Sequence, residues 1–312
     1  MTSVRDAFFN RIYKMVQQGD DIVIITPDLG APSLDDFRKY YPERFISVGI
    51  AEQNLISVAA GLVLSGKKVI AYGLNPFPIT RAYDQIRSLL AEMGIPIMLC
   101  ALNAGLCAAE CGYTHMPVED IGMMRMLSNI QIINPSDETI SEIIASEAAR
   151  TSHTRYIRFD KAIRGRIYNE SEIDLNRGFT VYGESGEVCV ITYGCYVKDI
   201  RKLVDEYVAK GKMIQVIDLY SLPVDETQFI SCLTKNIKIL TVEESLKSAG
   251  IGSYVLEILS EHQIFLPVKR LGLSFDNGYY NVFTNREFIQ QDQKLDISSI
   301  AKNIDELFEN ED

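Results

Sequence analysis

Hydrophobic and polar positions form two consecutive series of short apolar runs and longer amphipathic segments. In the first series, runs rich in Ile and Val are typical of buried strands, and segments with apolar residues three or four apart are typical of helices. The predicted strands are 21–25, 44–48, 67–71, 95–101, 130–133 and 156–159. The predicted helices are 4–18, 55–64, 79–93, 119–127 and 137–150, the last with Ser136 as its N-cap.

The second series begins after a polar segment that lacks this rhythm. Its predicted strands are 188–192, 213–217, 237–242 and 268–272, and its helices are 197–209, a short one after 225, and 248–260. Strands that alternate with helices predict parallel sheets covered on both faces. We therefore expect an α/β protein with two doubly wound domains, residues 1–160 and 187–312, joined by a linker at 161–186.

The most informative stretch is 44–66, a short strand followed by an almost wholly apolar helix. Gly49 allows a sharp exit from the strand, and Glu52 then lies at the start of the helix. Unpaired N–H groups at that end carry positive potential, which stabilises a carboxylate. Glu52 is therefore either a residue that complements the helix dipole or a functional carboxyl beside an apolar wall.

Other polar and aromatic residues follow the carboxyl ends of the predicted strands of the first domain, where α/β sheets place their ligands. They lie in or just after three loops, 26–33, 72–78 and 103–115. The candidates are Ser33, Tyr72, Phe77, Arg81 and His115. Together with Glu52, this set suits a flat, partly apolar ligand with a polar reacting group.

Composition narrows the function classes. The 312 residues carry a formal net charge of -11, which disfavours nucleic-acid binding. Residues 1–13 lack the apolar core of a signal peptide, and the apolar run after Asn54 is too short to span a membrane. The six cysteines show no metal-ligand spacing and fit a reducing cytoplasm. No Walker-type loop or Gly-x-Gly-x-x-Gly motif is present, so the sequence offers no obvious loop for a diphosphate.

A set of motifs resembles one enzyme family in the same order. In the first domain these are Gly-Ile-Ala-Glu-Gln-Asn (49–54), Arg-Ala-Tyr-Asp-Gln-Ile-Arg (81–87), Thr-His (114–115) with Glu-Asp-Ile (119–121), and Asn-Pro-Ser-Asp (134–137). In the second they are 216–219, 241–244 and 250–252. The sequence resembles the pyrimidine-binding and C-terminal domains of transketolase and 1-deoxyxylulose-5-phosphate synthase. In length and starting point it is similar to the C-terminal subunit of split, two-component transketolases.

The resemblance implies thiamine diphosphate as the cofactor. In that family a Gly-Asp-Gly motif and a following Asn on a separate domain bind the diphosphate and its Mg²⁺, so this chain would hold no metal. A transketolase N-terminal subunit would supply that domain, and self-association through both domains of this chain would give a heterotetramer. The implied reaction transfers a two-carbon ketol unit from a ketose, or its phosphate, to an aldose.

The resemblance also assigns residues to the cofactor. Glu52 corresponds to the glutamate that hydrogen-bonds the aminopyrimidine ring, which lets the cofactor's own amine act as a base. Phe77 corresponds to the aromatic residue that packs on the ring, and Tyr72 is a second aromatic candidate. Arg81 is assigned to the cofactor and to the neighbourhood of the substrate phosphate.

Three further assignments concern the substrate. His115 corresponds to the histidine that contacts substrate hydroxyls and assists proton transfer. Ser33 and Arg158 correspond to positions near the sugar or its phosphate, where a guanidinium can bind phosphate with two hydrogen bonds. For each of these residues an ordinary structural role remains open from sequence alone.

The sequence departs from the family pattern on the substrate side. The usual Gly-x-Asp-Gly-Pro-Thr-His is replaced by 109–115, in which Cys111 or Glu110 stands where a sugar-binding aspartate is expected. A specialised ketol transferase of unusual-sugar biosynthesis is therefore one alternative. A second is the beta subunit of a 2-oxoacid dehydrogenase decarboxylase, and a third is a subunit without catalysis, which the presence of Glu52 and His115 disfavours.

Overall fold

The computed structural model describes residues 2–276, 278–280 and 283–309, which form two sheets flanked by helices. The strands are β1 Ile22–Thr26, β2 Phe45–Ser47, β3 Lys68–Leu74, β4 Met98–Leu102, β5 Ile130–Ile133, β6 Thr154–Phe159, β7 Thr180–Gly183, β8 Val188–Thr192, β9 Ile214–Asp218, β10 Ser221–Leu222, β11 Lys238–Leu246 and β12 Val268–Leu273. The predicted strands are all found, with ends shifted by a few residues.

The predicted helices are found in the same order. The helices are α1 Val4–Gln17, α2 Asp35–Tyr40, α3 Glu52–Leu64, α4 Phe77–Thr80, α5 Tyr83–Gln85, α6 Asp120–Arg125, α7 Glu138–Ser146, α8 Val197–Ala209, α9 Glu226–Ser231, α10 Ile251–Glu261, α11 Arg286–Asp292 and α12 Ile297–Glu309. Of these, α2, α11 and α12 are helices that were not predicted. The helix predicted at 79–93 is broken into α4, α5 and a wider π-helical segment, Ile86–Glu92. No helix formed by the described residues is long and apolar enough to cross a membrane.

The first sheet has seven strands in the order β10-β5-β6-β4-β3-β1-β2, all parallel except β10. Apolar side chains of α1 and α7 cover one face, and those of α3 and the π-helical segment cover the other. Because each strand alternates its side chains between these faces, the sheet is buried on both sides. The expectation of a doubly wound, mainly parallel first domain is confirmed.

The second sheet has five strands in the order β12-β11-β8-β9-β7, parallel except β7. Each sheet has one edge strand that comes from outside its predicted domain. In the second sheet this strand is β7, which comes from 161–186, a segment that the sequence suggested was only a linker. In the first sheet it is β10, which follows β9 in the chain and pairs with β5. Both are short antiparallel edge strands, so neighbouring strands rather than local periodicity fix them.

One predicted helix cap is wrong. Asp137, not Ser136, is the N-cap of α7, and its carboxylate accepts a hydrogen bond from the Ile140 N–H at 3.0 Å. The Ser136 hydroxyl instead donates to Asp218 at 2.9 Å and accepts from the Gly194 N–H at 2.9 Å. Ser136 therefore ties the first domain to the second, and it precedes the helix without capping it.

Candidate active site

The connection between β2 and α3 determines where Glu52 lies. Gly49 has φ +72, in the left-handed region that favours glycine, and it turns the chain sharply out of β2. Glu52 is the first residue of α3, and Ala51 before it provides no side-chain cap. Leu55 and Ile56 are fully buried, which fixes the helix against the sheet. The carboxylate is thereby held, largely buried, among the unpaired N–H groups of a helix start.

Arg81 is the partner of this carboxylate. Its Nη1 donates to Glu52 Oε1 at 3.2 Å and to Oε2 at 3.1 Å. The same guanidinium lies over the ring of Phe77, with its carbon 4.1 Å from the ring centroid. A flat cation is thus placed between a carboxylate and an aromatic face, a favourable arrangement for both contacts.

His115 extends this group of side chains. Its ring meets the edge of Phe77 with the centroids 5.1 Å apart and the planes at 84°. The Thr114 hydroxyl lies 3.0 Å from His115 Nδ1. Four residues predicted from sequence therefore form one continuous cluster, Glu52–Arg81–Phe77–His115, which we call the open cluster. Beside it is an opening of about 470 Å³ lined by residues 50–54 and Arg81.

The second domain fixes the loop that carries His115. Leu106, Met116 and Val118 pack into the core of the second domain. The Leu106 N–H donates to Glu244 Oε2 at 3.1 Å, and Arg286 holds the same carboxylate with two hydrogen bonds of 2.7 Å.

Close approach explains a glycine in this loop. Gly105 has φ +56, and a Cβ there would lie 2.8 Å from the Glu244 side chain. Sequence reasoning did not identify Arg286, because a single arginine in a polar C-terminal segment carries no distinguishing signal.

Tyr72 is not brought to the open cluster. It lies in β3 on the sheet face opposite α3, fully buried, with its ring 4.8 Å from that of Phe9. Burial raises the pKa of its hydroxyl well above the ordinary value. Its neighbour Ala71 faces α3 instead, because successive strand residues point to opposite faces. Tyr72 is therefore a core residue in this structure.

Arg158 is also placed away from the open cluster. It is fully buried, and each of its three nitrogens donates within the protein: Nε and Nη2 to Asp120 at 2.7 and 2.9 Å, and Nη1 to Asn134 at 2.7 Å. A guanidinium so occupied is not available to a substrate phosphate. Arg158 thus has a buried structural role in this structure, and its assignment to the substrate stays a prediction.

Ser33 has a separate partner too. It lies in a short turn before α2, and its hydroxyl donates to Asp6 of α1 at 2.7 Å. Asp6 also accepts hydrogen bonds from Ser3 and Arg5, which anchors this turn to α1. The structure thus gives Ser33 a role in joining two elements, and its substrate role stays a prediction.

A network of buried hydrogen bonds holds the turn that carries Phe77 of the open cluster. The Asn75 amide donates to Asp120 at 2.9 Å and to the Tyr156 hydroxyl at 2.8 Å. Asn75 begins the short turn that presents Phe77, and Asp120 is the carboxylate that Arg158 holds. Sequence reasoning did not select Asn75 or Asp120, although Asp120 belongs to the Glu-Asp-Ile motif noted above.

Comparisons with known proteins show which family models and which proteins this chain resembles. Residues 1–163 match the family model of the transketolase pyrimidine-binding domain, and residues 180–280 match that of the transketolase C-terminal domain. An apulose-4-phosphate transketolase subunit of Actinobacillus succinogenes is 30% identical over 293 residues, 93% of this chain and 94% of that protein. The 1-deoxy-D-xylulose-5-phosphate synthase of Shouchella clausii is 29% identical, and the chain spans only 44% of its length.

A solved structure agrees over nearly the whole length. A split gene transketolase, described as an inactive beta4 tetramer, has a TM-score of 0.84 at 27% identity and covers 98% of both chains. A transketolase from Pichia stipitis has a TM-score of 0.80 at 16% identity, over 98% of this chain and 46% of that one, and supports the fold alone. The chain belongs to the transketolase family and carries its pyrimidine-binding domain followed by its C-terminal domain.

Proposed function

We propose that this chain is the C-terminal subunit of a two-component transketolase that uses thiamine diphosphate and transfers a two-carbon ketol unit from a ketose to an aldose. The observation that carries the proposal is the open cluster. A largely buried carboxylate, an aromatic face and a histidine are assembled next to an opening, at the carboxyl ends of parallel strands. Relatives that match over nearly their full length, and that are named transketolase subunits, support the same function.

The residues present fit the pyrimidine end of thiamine diphosphate. A planar, nitrogen-bearing group already lies in the cluster, because the Arg81 guanidinium is hydrogen-bonded to Glu52 and lies over Phe77. An aminopyrimidine is also flat and carries nitrogens at its edge, so the same carboxylate and the same ring face are suited to it. Family membership implies thiamine diphosphate dependence, and this fit is consistent with it.

Each residue then has a defined task. Thiamine diphosphate, when bound, supplies the carbon nucleophile for cleaving and forming the carbon–carbon bond. Glu52 holds a proton at a ring nitrogen, and its partly desolvated position makes this hydrogen bond strong. Phe77 orients the ring by packing on it. His115 moves a proton at a substrate hydroxyl, since its partly exposed imidazole packs against the edge of Phe77 and its two nitrogens can donate and accept hydrogen bonds.

A partner must complete this site. We propose that the diphosphate and Mg²⁺ are held by an N-terminal subunit, and that two copies of each chain form a heterotetramer. The relatives named as transketolase subunits, and the tetramer described for the similar split gene transketolase, support a partner and self-association. The cytoplasmic location predicted from the cysteines stays a prediction.

The substrates differ, in our proposal, from the usual pentose phosphates. Glu110 and Cys111 are exposed in the turn that precedes His115, where the family usually has a sugar-binding aspartate. Relatives include an apulose-4-phosphate transketolase subunit of Phocaeicola vulgatus, 28% identical, and a 6-deoxy-6-sulfo-D-fructose transketolase subunit of a Clostridium species, also 28% identical. Both names point to sugars outside the common pentose phosphates.

Reconstitution tests the proposal. The isolated chain should bind thiamine diphosphate weakly and show no turnover, because half of the site is missing. Mixing it with its N-terminal subunit should produce ketol transfer from a ketose to an aldose. Full activity of the isolated chain would contradict the two-component arrangement, and lipoyl-linked decarboxylation of a 2-oxoacid would favour the dehydrogenase alternative.

The Glu52→Gln variant sharpens this test. It keeps the size of the side chain and removes its charge, so the complex should assemble while activity falls by about a thousandfold. Glu92→Gln, the same change at an exposed glutamate of the π-helical segment, is the matched control. Unchanged activity of Glu52→Gln in the complex would remove Glu52 from its proposed role.

A further inference from the structure

Arg81 makes the two contacts that the proposed pyrimidine subsite offers. Its hydrogen bonds to Glu52 are 3.1 and 3.2 Å long, and its guanidinium carbon lies 4.1 Å from the Phe77 ring centroid. Among the described residues, the hydrogen bonds of this guanidinium go to Glu52 alone. The Arg81 side chain thus contacts both the Glu52 carboxylate and the Phe77 ring face, and no other described residue accepts a hydrogen bond from its guanidinium.

A flat ring that binds here needs the same surfaces. It must pack on the face of Phe77 and hydrogen-bond the Glu52 carboxylate, and two planar groups cannot occupy one ring face at van der Waals distance. We propose that Arg81 is an internal occupant of the pyrimidine subsite, and that thiamine diphosphate binds only after the Arg81 side chain swings out. This inference rests on the proposed function, and it concerns how that site is filled.

Exposure identifies Arg81 as the partner that moves. The Arg81 side chain is 50% exposed, whereas that of Glu52 is 7% exposed. Arg81 also lies between the short helices α4 and α5, so its side chain reaches solvent without disturbing the sheet. The adjoining opening of about 470 Å³ gives the guanidinium room.

The contacts of Arg81 are weak enough to exchange. A half-exposed ion pair and a cation–π contact at an exposed site are both among the weaker interactions of a folded protein. Glu52, in contrast, stays in place, because it is largely buried and is the first residue of α3. Exchange of a guanidinium for a ring nitrogen keeps this carboxylate hydrogen-bonded in both states, which gives Arg81 a reason to be there.

Occupation of the subsite lowers the apparent affinity for the cofactor. If only the swung-out state binds, the observed dissociation constant is raised by the reciprocal of the open fraction. Replacing Arg81 with methionine keeps the apolar stem and removes the guanidinium. The variant should therefore bind thiamine diphosphate roughly tenfold more tightly and with a faster association rate.

The measurement uses the reconstituted complex. Thiamine diphosphate is titrated calorimetrically, and its association rate is followed, for wild type, Arg81→Met, Arg81→Lys and Arg87→Met. Arg87 is an exposed arginine that pairs with Asp84 nearby in the same segment, so its replacement should leave binding unchanged. Lysine lacks a planar head that stacks on Phe77, so Arg81→Lys should lie between wild type and Arg81→Met.

The outcomes separate this inference from the proposed function. Tighter and faster binding by Arg81→Met, with sugar turnover measured separately, supports displacement. Weaker or equal binding by Arg81→Met, in a complex where Glu52→Gln still impairs activity, leaves the function standing and overturns the displacement of Arg81. If the wild-type complex binds no thiamine diphosphate at all, the proposed function and this inference both fall.

Discussion

Two arginine–carboxylate pairs of the first domain are alike in chemistry and differ in exposure. Arg81 donates to Glu52 and Arg158 donates to Asp120, and each arginine also lies over an aromatic ring. The exposed fractions are 50% and 7% in the first pair, against 0% and 1% in the second. Arg158 uses all three nitrogens in several hydrogen bonds, whereas a single nitrogen of Arg81 makes both of its bonds.

The difference shows which pair is framework and which is available to a ligand. A buried ion pair is costly to break, since removing one partner leaves a charge without compensation. A half-exposed pair contributes little and can be exchanged for another partner. The two pairs are also connected in space, because Asp120 accepts from Asn75, which begins the turn that carries Phe77. The buried pair thus supports the geometry of the open one.

Breaking the buried pair should have the largest effect. Arg158→Met leaves Asp120 buried without its cation and should lower the free energy of unfolding by about 3–5 kcal/mol. Urea denaturation of the isolated chain measures this. Arg81→Met, the matched change in the open pair, should cost about 1 kcal/mol or less.

A double variant checks the reason for that loss. Removing the charge of Asp120 as well, in Arg158→Met with Asp120→Asn, should recover part of the stability. If Arg158→Met and Arg81→Met were equally destabilising, the contrast between the two pairs would be wrong.

The open cluster should instead respond in catalysis. His115→Ala should lower sugar turnover in the reconstituted complex by about a hundredfold while the dissociation constant of thiamine diphosphate changes little, because the histidine acts on the substrate. Its free energy of unfolding should stay within about 0.5 kcal/mol of wild type. His262→Ala, which removes a surface histidine that contacts Glu226, is the control. An unchanged turnover number would exclude proton transfer by His115.

The sequence alone was enough for the part of the site that depends on local patterns. The run 44–66 predicts a strand, a sharp turn at Gly49 and a carboxyl at the start of an apolar helix, and the structure has each of these. The order of strands and helices likewise follows from periodicities of two and of three to four residues. These features are readable because the residues that determine them are neighbours in the chain.

Features that depend on distant partners were not readable. Whether Tyr72 faces the ligand side or the core is decided by the register of β3, and Ala71 faces α3 instead. Arg158 lies on β6, and its hydrogen-bond partners Asp120 and Asn134 are distant from it in the sequence. Only the folded structure therefore shows that its nitrogens are occupied. The edge strands β7 and β10 are too short to have a period and exist because a neighbouring strand offers hydrogen bonds.

Asp218 is a third buried carboxyl group, and among the described residues no arginine donates a hydrogen bond to it. Asp218, at the junction of the two domains, accepts hydrogen bonds from the hydroxyls of Ser136 and Tyr168, each at 2.9 Å. Burial raises its pKa to about 7. In the unfolded chain the carboxyl ionises at its ordinary, lower pKa. As the pH rises between these two values, the unfolded state therefore loses a proton that the folded state keeps. The stability contributed by Asp218 is complete at acid pH and is lost as the pH rises towards about 7.

Asp218→Asn cannot ionise, so its stability relative to wild type should improve as the pH rises. Between about pH 5 and about pH 8 the difference in free energy of unfolding should shift towards the variant by roughly 2 kcal/mol. Urea denaturation at several pH values measures it, with Asp199→Asn as the control that should show no such trend, because the partly exposed Asp199 carboxylate pairs with Lys202 on α8. A flat difference would mean that two hydroxyl donors stabilise a buried carboxylate as well as the guanidinium stabilises Asp120. Burial would then impose no free-energy cost on an ionised carboxyl group at this junction. The difference proposed between the half-exposed Arg81–Glu52 pair and the buried Arg158–Asp120 pair would lose its physical basis.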